Sequence, residues 1–498
     1  MKKANVITNG KTQKVLVGTR ISDFIDMPLP CGGHGKCGKC KVVVHGEISP
    51  ITASERDELS SEELTRGIRL ACCAKIEGDC EISPVFDKGS GNKILTKTGA
   101  PATAPSPFFE KYGAAIDIGT TTLAAELFDT SGAVLSECGR LNPQSIWGAD
   151  VISRIEASMR GESKQMAIAV CNSIDEMLCE LAAKAGISER DIDGIVITGN
   201  TAMLHFLTDT SAEPLSHAPF KAERLFGETL TADVLGLKAP PADAKIYLPP
   251  CIAAFVGADT VCALIATNLI STENALLADI GTNGEMGLWH DGKLSVCSTA
   301  AGPAFEGVGI SMGMNGADGA IDRVTFDGDK LVLHVIGNAM PRGICGSGLI
   351  DAVACLIESG TLDETGLLDD DPTEISAPVC LTQHDIRMVQ LAKSAICAGI
   401  ISLLEDLKVD RDEISVFYIA GGFGSYLDIT SAGKIGLIPP ELCKKVKIVG
   451  NAALGGAAMM LLDKEKMSLA NEIAKKAIVV DLATNPVFVE TYMTGMMF

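Results

Sequence analysis

The sequence of 498 residues predicts an α+β protein of several domains, in which a small β-rich domain precedes an α/β domain made of two related lobes. Three observations predict this organisation. Short strand-like runs broken by glycine fill the first 88 residues, and apolar strands alternate with helical patterns from residue 111 onward. An Asp-Ile-Gly-Thr string at residue 117 also recurs at residue 279, which indicates an internal duplication.

The composition excludes several classes of protein. Lys and Arg total 42 and Asp and Glu total 63, so the formal net charge is −21 and the field of the protein repels the phosphate backbone of nucleic acids. Residues 1–13 lack the apolar core of a signal peptide. The longest nearly apolar stretch, Ala452–Leu462, is too short to span a bilayer. We therefore expect a cytoplasmic protein that binds neither nucleic acid nor membrane.

Residues 1–88 form the predicted N-terminal domain, and residues 89–110 form a linker. Four short runs in the domain are strand candidates: Val6-Ile7, Val15–Val17, Lys41–Val44 and Glu81-Ile82. The linker is rich in Pro, Ala and Thr, a composition that favours an extended chain over a helix.

A glycine-rich loop in this domain carries three closely spaced cysteines, and a fourth lies farther along the chain: Cys31, Cys37, Cys40 and Cys72. An iron–sulfur cluster needs four converging thiolates and a backbone that wraps closely around the sulfurs, which glycine allows. Zinc also takes four cysteines, but its ligands usually come as two close pairs. Three cysteines in one loop and one at a distance therefore favour a [2Fe–2S] cluster.

The spacing Cys-x5-Cys-x2-Cys, followed by Arg69-Leu-Ala-Cys72, resembles the adrenodoxin-type [2Fe–2S] ferredoxins over residues 3–85. This resemblance implies a β-grasp, ferredoxin-like fold. It also assigns the four cluster ligands to Cys31, Cys37, Cys40 and Cys72. The adjacent Cys73 remains a weaker candidate for the fourth ligand.

Residues 111–272 and 273–498 are the two predicted lobes of the α/β domain. Ala114–Ile116 and Gly194–Ile197 are apolar strand candidates in the first lobe, and Met166–Lys184 is a helix with apolar residues three and four positions apart. In each lobe the duplicated string follows one apolar strand and precedes another. We therefore expect the lobes to share a strand–turn–strand unit.

Each copy of the duplicated string puts an aspartate at a strand end, just before glycine and hydroxyl residues. Such a turn presents N–H and O–H donors to phosphate oxygens, and its aspartate can hold magnesium through water. Two facing copies can clamp a triphosphate from both sides. The residues concerned are Asp117, Gly119, Thr120 and Thr121 in the first turn, and Asp279, Gly281, Thr282 and Asn283 in the second turn.

A third glycine turn follows the strand candidate Val416–Ala420. Gly421 and Gly422 leave room for an adenosine against the backbone, and the string lacks the G-x-G-x-x-G spacing of a dinucleotide site. A separate turn, Gly302–Gly307, carries Glu306, which could orient water or magnesium or simply lie on the surface.

The order of the three turns resembles the superfamily of acetate and sugar kinases, heat-shock chaperone ATPases and actin. The resemblance implies two RNase H-like, actin-like lobes with ATP and Mg²⁺ in the cleft between them. It places Asp117 and Asp279 near the magnesium, the two duplicated turns on the phosphates, and Gly421 and Gly422 on the adenosine. Asp117, Asp279 and Glu306 are accordingly the catalytic candidates.

Over nearly its whole length the chain resembles the reductive activators of corrinoid proteins, which join an N-terminal [2Fe–2S] domain to such an ATPase. The resemblance extends to the strings Leu141–Arg154, Phe255–Asp259 and Gly302–Gly307. It implies ATP-dependent transfer of one electron through the cluster, which converts an inactive Co(II) corrinoid into Co(I) for methyl transfer. It also implies three partners, namely a corrinoid protein of a methyltransferase system, an electron donor such as a ferredoxin or flavoprotein, and a second copy in a homodimer.

Three other functions stay open on the sequence. An ATP-dependent activator of another low-potential enzyme, of the acyl-CoA dehydratase activator type, would also couple ATP to electron transfer. A redox-sensing, actin-like ATP-binding module would use the cluster as a sensor. A small-molecule kinase would explain the ATP domain but would leave the [2Fe–2S] domain without a role.

Overall fold

The computed structural model describes residues 2–8, 11–25, 27, 29, 33, 35, 38, 40–84, 104–148, 150–422 and 424–498. Most of the predicted linker, residues 89–103, lies outside these described residues. Three main sheets organise the described chain, one near the N-terminus and one in each lobe, and two smaller sheets accompany the second lobe.

The N-terminal sheet is built from five strands and carries two short helices. These elements are β1 (Lys3–Thr8), β2 (Lys11–Leu16), β3 (Lys41–Ile48), α1 (Ala53–Glu58), α2 (Ser61–Thr65), β4 (Ile68–Leu70) and β5 (Ile76–Pro84). The strand order is β2-β1-β5-β3-β4, with β1 parallel to β5 and the other pairs antiparallel. The four strand candidates overlap β1, β2, β3 and β5. Sequence reasoning missed β4, whose three residues, Ile68–Leu70, are too few to establish a pattern.

The first lobe places helices against a six-stranded sheet. Its elements are β6 (Tyr112–Ile118), β7 (Thr122–Asp129), β8 (Val134–Leu141), α3 (Val151–Ala157), α4 (Ser163–Ala185), β9 (Ile192–Gly199), α5 (Thr201–Leu207), β10 (Glu228–Thr231), α6 (Ala232–Leu235), β11 (Lys245–Leu248) and α7 (Ala258–Ala266). The predicted helix Met166–Lys184 is the greater part of α4, most of whose apolar side chains are buried against the sheet.

The second lobe is larger because two small sheets and further helices accompany its six-stranded sheet. Its elements are β12 (Ala275–Ile280), β13 (Gly284–His290), β14 (Lys293–Thr299), β15 (Ala320–Phe326), β16 (Leu331–Val335), β17 (Gly343–Ile344), α8 (Gly346–Ser359), β18 (Thr373–Ser376), β19 (Val379–Leu381), α9 (Gln383–Leu407), β20 (Val416–Ala420), α10 (Ile429–Lys434), β21 (Val446–Gly450), α11 (Ala452–Leu462), α12 (Lys464–Lys476), β22 (Ile478–Val479) and α13 (Pro486–Thr494).

The two lobes repeat one topology. In each lobe three strands form an antiparallel meander, a fourth strand pairs in parallel with the first, and a fifth pairs in parallel with the fourth. The resulting orders are β11-β9-β6-β7-β8 in the first lobe and β21-β20-β12-β13-β14 in the second, with β10 and β22 added at the edges. β6 and β12 are the strands that precede the duplicated string. The predicted internal duplication is therefore confirmed.

Helices α7 and α11 form a buried layer shared by the lobes. Their apolar side chains pack together with residues of both main sheets in one core cluster. α11 contacts β6 and β9 of the first lobe although it follows β21 of the second. At the helix crossing a Cβ on Gly456 would lie 2.0 Å from the carbonyl oxygen of Cys262, so only glycine fits there.

One helix among the described residues, α9, is long and apolar enough to cross a membrane. Its most apolar window is 72% buried within the protein, and it packs beneath β13 and β14 and against α13. This burial identifies α9 as a core helix of the second lobe.

Candidate functional site

A cleft of about 510 Å³ lies between the two lobes. The ends of β6, β9 and β12 and the loops after β20 and β21 contribute to its walls. Every residue predicted for the nucleotide side lines this cleft: Asp117, Gly119, Thr120, Thr121, Asp279, Gly281, Thr282, Asn283, Glu306, Gly421 and Gly422. The fold thus brings together three turns that are far apart in sequence.

The first duplicated turn, between β6 and β7, is closed by a backbone hydrogen bond from its glycine. Asp117 is the penultimate residue of β6, and the N–H of Gly119 donates to the carbonyl oxygen of Thr122 at 2.9 Å. A Cβ on Gly119 would lie 2.8 Å from that oxygen, so a larger residue would open the turn. Thr120 and Thr121 then line the cleft between β6 and β7.

The second and third turns lie side by side. Asp279 pairs in register with Ala420, the last residue of β20, so Gly421 follows directly beside the aspartate. Gly421 has φ of +98°, and a Cβ there would lie 2.7 Å from Asp279 Oδ1 and 2.6 Å from the carbonyl oxygen of Ile280. Both the backbone conformation and the close approach therefore require glycine.

Glu306 joins the two duplicated turns. Its carboxylate accepts a hydrogen bond from Thr121 Oγ1 at 3.0 Å and another from Thr282 Oγ1 at 2.7 Å. One oxygen thus contacts the first lobe and the other contacts the second. The structure places Glu306 in the wall of the cleft between the lobes, not on the outer surface.

Six carboxylates line the cleft, and sequence reasoning assigned roles to three of them, Asp117, Asp279 and Glu306. The other three are Asp259, Glu285 and Asp322. Burial, together with the charge of the nearby Asp259, raises the pKa of both Asp117 and Asp279 to about 7. Burial likewise raises the pKa of Asp259 and of Glu285. Carboxylate oxygens are the ligands that divalent cations prefer, but among the described residues no three of these side chains converge closely enough to hold a metal directly.

The cysteine loop is described in part. Cys40 and Cys72 are both buried, and their Sγ atoms lie 3.3 Å apart, while Cys31 and Cys37 lie outside the described residues. The hydrogen bond to Cys40 and burial raise the pKa of the Cys72 thiol. Cys73 is half-buried, with its Sγ 3.7 Å from that of Cys72.

Three glycines of the cysteine loop adopt the left-handed conformation that favours glycine. Gly33, Gly35 and Gly38 have φ of +78°, +68° and +61°. A Cβ on Gly35 would lie 2.7 Å from Cys73 Sγ, so the loop passes directly over the Cys72–Cys73 segment. The buried thiol pair and the closely wrapped loop fit the requirements of a thiolate-bound cluster.

A buried ion pair anchors the strand that leads to Cys72. Arg69 Nε lies 2.8 Å from Glu55 Oε1, and Arg69 Nη2 lies 2.9 Å from Glu55 Oε2. The N–H of Leu70 also donates to Glu55 Oε1 at 3.1 Å. Burial opposes ionisation of Glu55, but the bonds from Arg69 and the backbone outweigh it and lower its pKa. The forked geometry fixes α1 against β4, two residues before Cys72.

Comparisons with known proteins match each part of this architecture. The 2Fe-2S iron-sulfur cluster binding domain matches residues 3–77, the RACo middle region matches residues 112–272, and the C-terminal domain of RACo, the ASKHA domain, matches residues 273–498. The chain is 36% identical over 448 residues to the corrinoid activation enzyme RamQ of Eubacterium limosum, covering 82% of this chain and 73% of the relative. The chain belongs to the family of corrinoid activation enzymes.

Two further relatives support membership of the corrinoid activation family. The [Co(II) methylated amine-specific corrinoid protein] reductase of Methanosarcina barkeri is 25% identical over 418 residues, covering 77% of this chain and 76% of the relative. The solved structure of a reductive activator for corrinoid,iron-sulfur protein superposes with a TM-score of 0.71 at 27% identity, covering 99% of this chain and 98% of the other. The predicted fold class, a [2Fe–2S] domain followed by a two-lobed actin-like ATPase, is confirmed.

Proposed function

We propose that this protein uses ATP to drive one electron onto an inactive Co(II) corrinoid and so restores Co(I) for methyl transfer. One observation carries the proposal. This member of the corrinoid activation family has both a glycine-rich loop with buried thiols and a cleft in which the two duplicated turns meet. The Co(II) corrinoid is the substrate. It accepts one electron, and the electron donor that re-reduces the protein loses one.

Cys31, Cys37, Cys40 and Cys72 would hold the [2Fe–2S] cluster, which supplies a one-electron carrier when bound. The 3.3 Å contact between the sulfurs of Cys40 and Cys72 supports two of these ligands. Cys31 and Cys37 rest on the spacing of the sequence. The greater burial of Cys72 favours it over Cys73 as the fourth ligand.

In the cleft, the two duplicated turns would hold the triphosphate, and Gly421 and Gly422 would hold the adenosine. Asp117 and Asp279 would bind Mg²⁺ through water, because a divalent cation neutralises carboxylates that burial has made reluctant to ionise. Glu306 would position the turns and the attacking water. Its support is the pair of hydrogen bonds from both turns.

The same contacts suggest how ATP would act on the electron transfer. Glu306 ties Thr121 of the first lobe to Thr282 of the second. A triphosphate that binds both turns would rearrange these hydrogen bonds. ATP would therefore stabilise one relative orientation of the two lobes, and hydrolysis of ATP would remove that stabilisation. The change in lobe orientation would in this way favour the state of the complex with the corrinoid protein in which the corrinoid is reduced.

The partners follow from the same proposal. The names of the relatives point to a corrinoid protein as the acceptor, here one that serves a methyltransferase. A ferredoxin or flavoprotein would donate the electron, two copies of the chain would form a homodimer, and the reaction would take place in the cytoplasm.

The proposal is tested by anaerobic ATP turnover with a corrinoid protein in its Co(II) or methyl-Co(III) form. We expect the Co(II) form alone to accelerate turnover. Asp279→Asn should abolish the effect, while Asp291→Asn, a matched change on an exposed hairpin turn, should keep it.

Three contrary results would each point to a different function. Turnover that ignores the corrinoid would favour a redox sensor. Stimulation by an acyl-CoA dehydratase would favour an activator of that enzyme. Phosphoryl transfer to a sugar or an acid would favour a small-molecule kinase.

A further inference from the structure

A fully buried arginine lies behind the first phosphate turn. Arg154, on α3, has no exposed surface, and its guanidinium donates to three acceptors. Nη2 donates to the carbonyl oxygen of Thr120 at 2.6 Å, Nε donates to the carbonyl oxygen of Gly148 at 2.9 Å, and Nη1 approaches Met203 Sδ at 3.4 Å. All three contacts are to neutral groups.

Among the residues that the structure describes, no carboxylate lies within ion-pair distance of Arg154. Asp150, which caps α3 and accepts hydrogen bonds from Ser153, acts on the guanidinium only from a longer range. A buried cation without a counter-charge is costly, because carbonyl dipoles replace only part of the lost hydration. By contrast, the other buried arginine, Arg69, is paired with Glu55 at 2.8 Å. Arg154 therefore has no ion-pair partner of its own, and an anion bound at the first turn would add to the longer-range charge of Asp150.

The turn in front of Arg154 is arranged to receive an anion. The carbonyl oxygens of Gly119 and Thr121 accept from Asn142, one from its Nδ2 at 2.8 Å and the other from its backbone N–H at 2.9 Å. Because the carbonyl oxygen of Thr120 accepts from Arg154, all three carbonyl oxygens of the turn are hydrogen-bonded on the side away from the cleft. Negative dipole ends are thus kept away from the cleft, and N–H and O–H donors are left to face it.

We propose that Arg154 is a positioning residue for the nucleotide, whose guanidinium holds the first phosphate turn from behind and supplies a positive charge that the triphosphate neutralises. The inference rests on the proposed binding of ATP in this cleft. It predicts that Arg154 contributes to the binding of phosphates and not to the binding of the nucleoside.

Two variants separate the charge from the hydrogen bonds. Arg154→Lys keeps the charge, whereas Arg154→Gln keeps a donor for the Thr120 carbonyl but removes the charge. Arg140→Gln is the matched control, since Arg140 forms surface ion pairs with Glu176 and Glu180 on the same lobe. Isothermal titration with MgATP and with adenosine gives the affinities of each variant. The rise in melting temperature on adding ATP reports the same quantity for a variant of low stability.

We expect Arg154→Gln to bind ATP roughly tenfold or more weakly than Arg154→Lys, while both bind adenosine equally well and Arg140→Gln behaves like the wild type. Equal ATP affinities for the Lys and Gln variants would overturn the inference, as would a parallel loss of adenosine binding. A wild-type protein that binds no ATP would instead refute the proposed function, so the two failures are distinct.

Discussion

Replacing Gly456 by alanine tests whether the crossing of α7 and α11 sets the geometry of the cleft. The new Cβ would lie 2.0 Å from the carbonyl oxygen of Cys262, and such atoms do not approach within 3.0 Å, so the helices must separate by about 1 Å or more. Asp259 in the first turn of α7 and Asn451 at the N-cap of α11 both line the cleft. Separation of the helices therefore displaces two walls of the site.

The magnitude follows from the atoms involved. A backbone carbonyl within a helix cannot rotate away, which puts the cost near the upper end of the range for overpacked cores, about 3 kcal/mol. The better helix propensity of alanine returns up to about 1 kcal/mol. The net loss of about 2 kcal/mol corresponds to a melting temperature lower by roughly 4–8 °C for a unit of this size. The affinity for MgATP should also fall, because the same separation of the helices displaces Asp259 and Asn451.

Thermal unfolding and MgATP titration measure both effects, with Gly399→Ala as the matched control. Gly399 is also buried within a helix, but a Cβ there would meet Met286 Sδ at 2.7 Å, the flexible part of a side chain. We expect this control to melt close to the wild type. The reasoning would be refuted if Gly456→Ala had the same melting temperature as the Gly399→Ala control and bound ATP with the affinity of the wild type.

Three further predictions concern the loop and the cleft. After reconstitution with iron and sulfide, Cys72→Ala should lack the visible absorption of the cluster and Cys73→Ala should keep it; the reverse pattern would assign the ligand to Cys73. Glu306→Gln should lower the rate of ATP hydrolysis roughly tenfold or more, because the amide has one acceptor oxygen for two hydroxyl donors and its NH2 group can only donate. An unchanged rate would contradict the role of Glu306. Without Mg²⁺, the melting temperature should fall as the pH rises from about 4 to about 7. Burial raises the pKa of Asp117 and Asp279 from 3.8 to about 7, so in this range the folded state holds protons that the unfolded state releases. A melting temperature that does not change with pH would contradict the raised pKa values.

Local patterns were enough to predict the three turns and the cysteine loop. An aspartate at a strand end, followed by glycine and hydroxyl residues, specifies its own geometry within a few residues, as the bond from Gly119 to Thr122 shows. The duplication then placed two such turns in equivalent positions, so their meeting could be inferred.

Other features depend on contacts that no local pattern records. Asp259 begins an apolar helix, and only the packing of α7 against α11 turns its carboxylate toward Asp117 and Asp279. Arg154 looks like a surface residue of an amphipathic helix until the fold buries it. The return of α11 to the first lobe likewise follows from long-range packing, and the predicted lobe boundary at residues 272 and 273 stays a prediction.

The most direct test of the account is anaerobic visible spectroscopy of a Co(II) corrinoid protein mixed with the reduced protein, with and without MgATP. The account predicts that the Co(I) band appears only with ATP, or that methyl-Co(III) appears when a methyl donor is present, and that Cys72→Ala and Asp279→Asn both fail. If the cluster is reduced normally but several corrinoid proteins show no effect of ATP, the electron has another acceptor and the account is wrong.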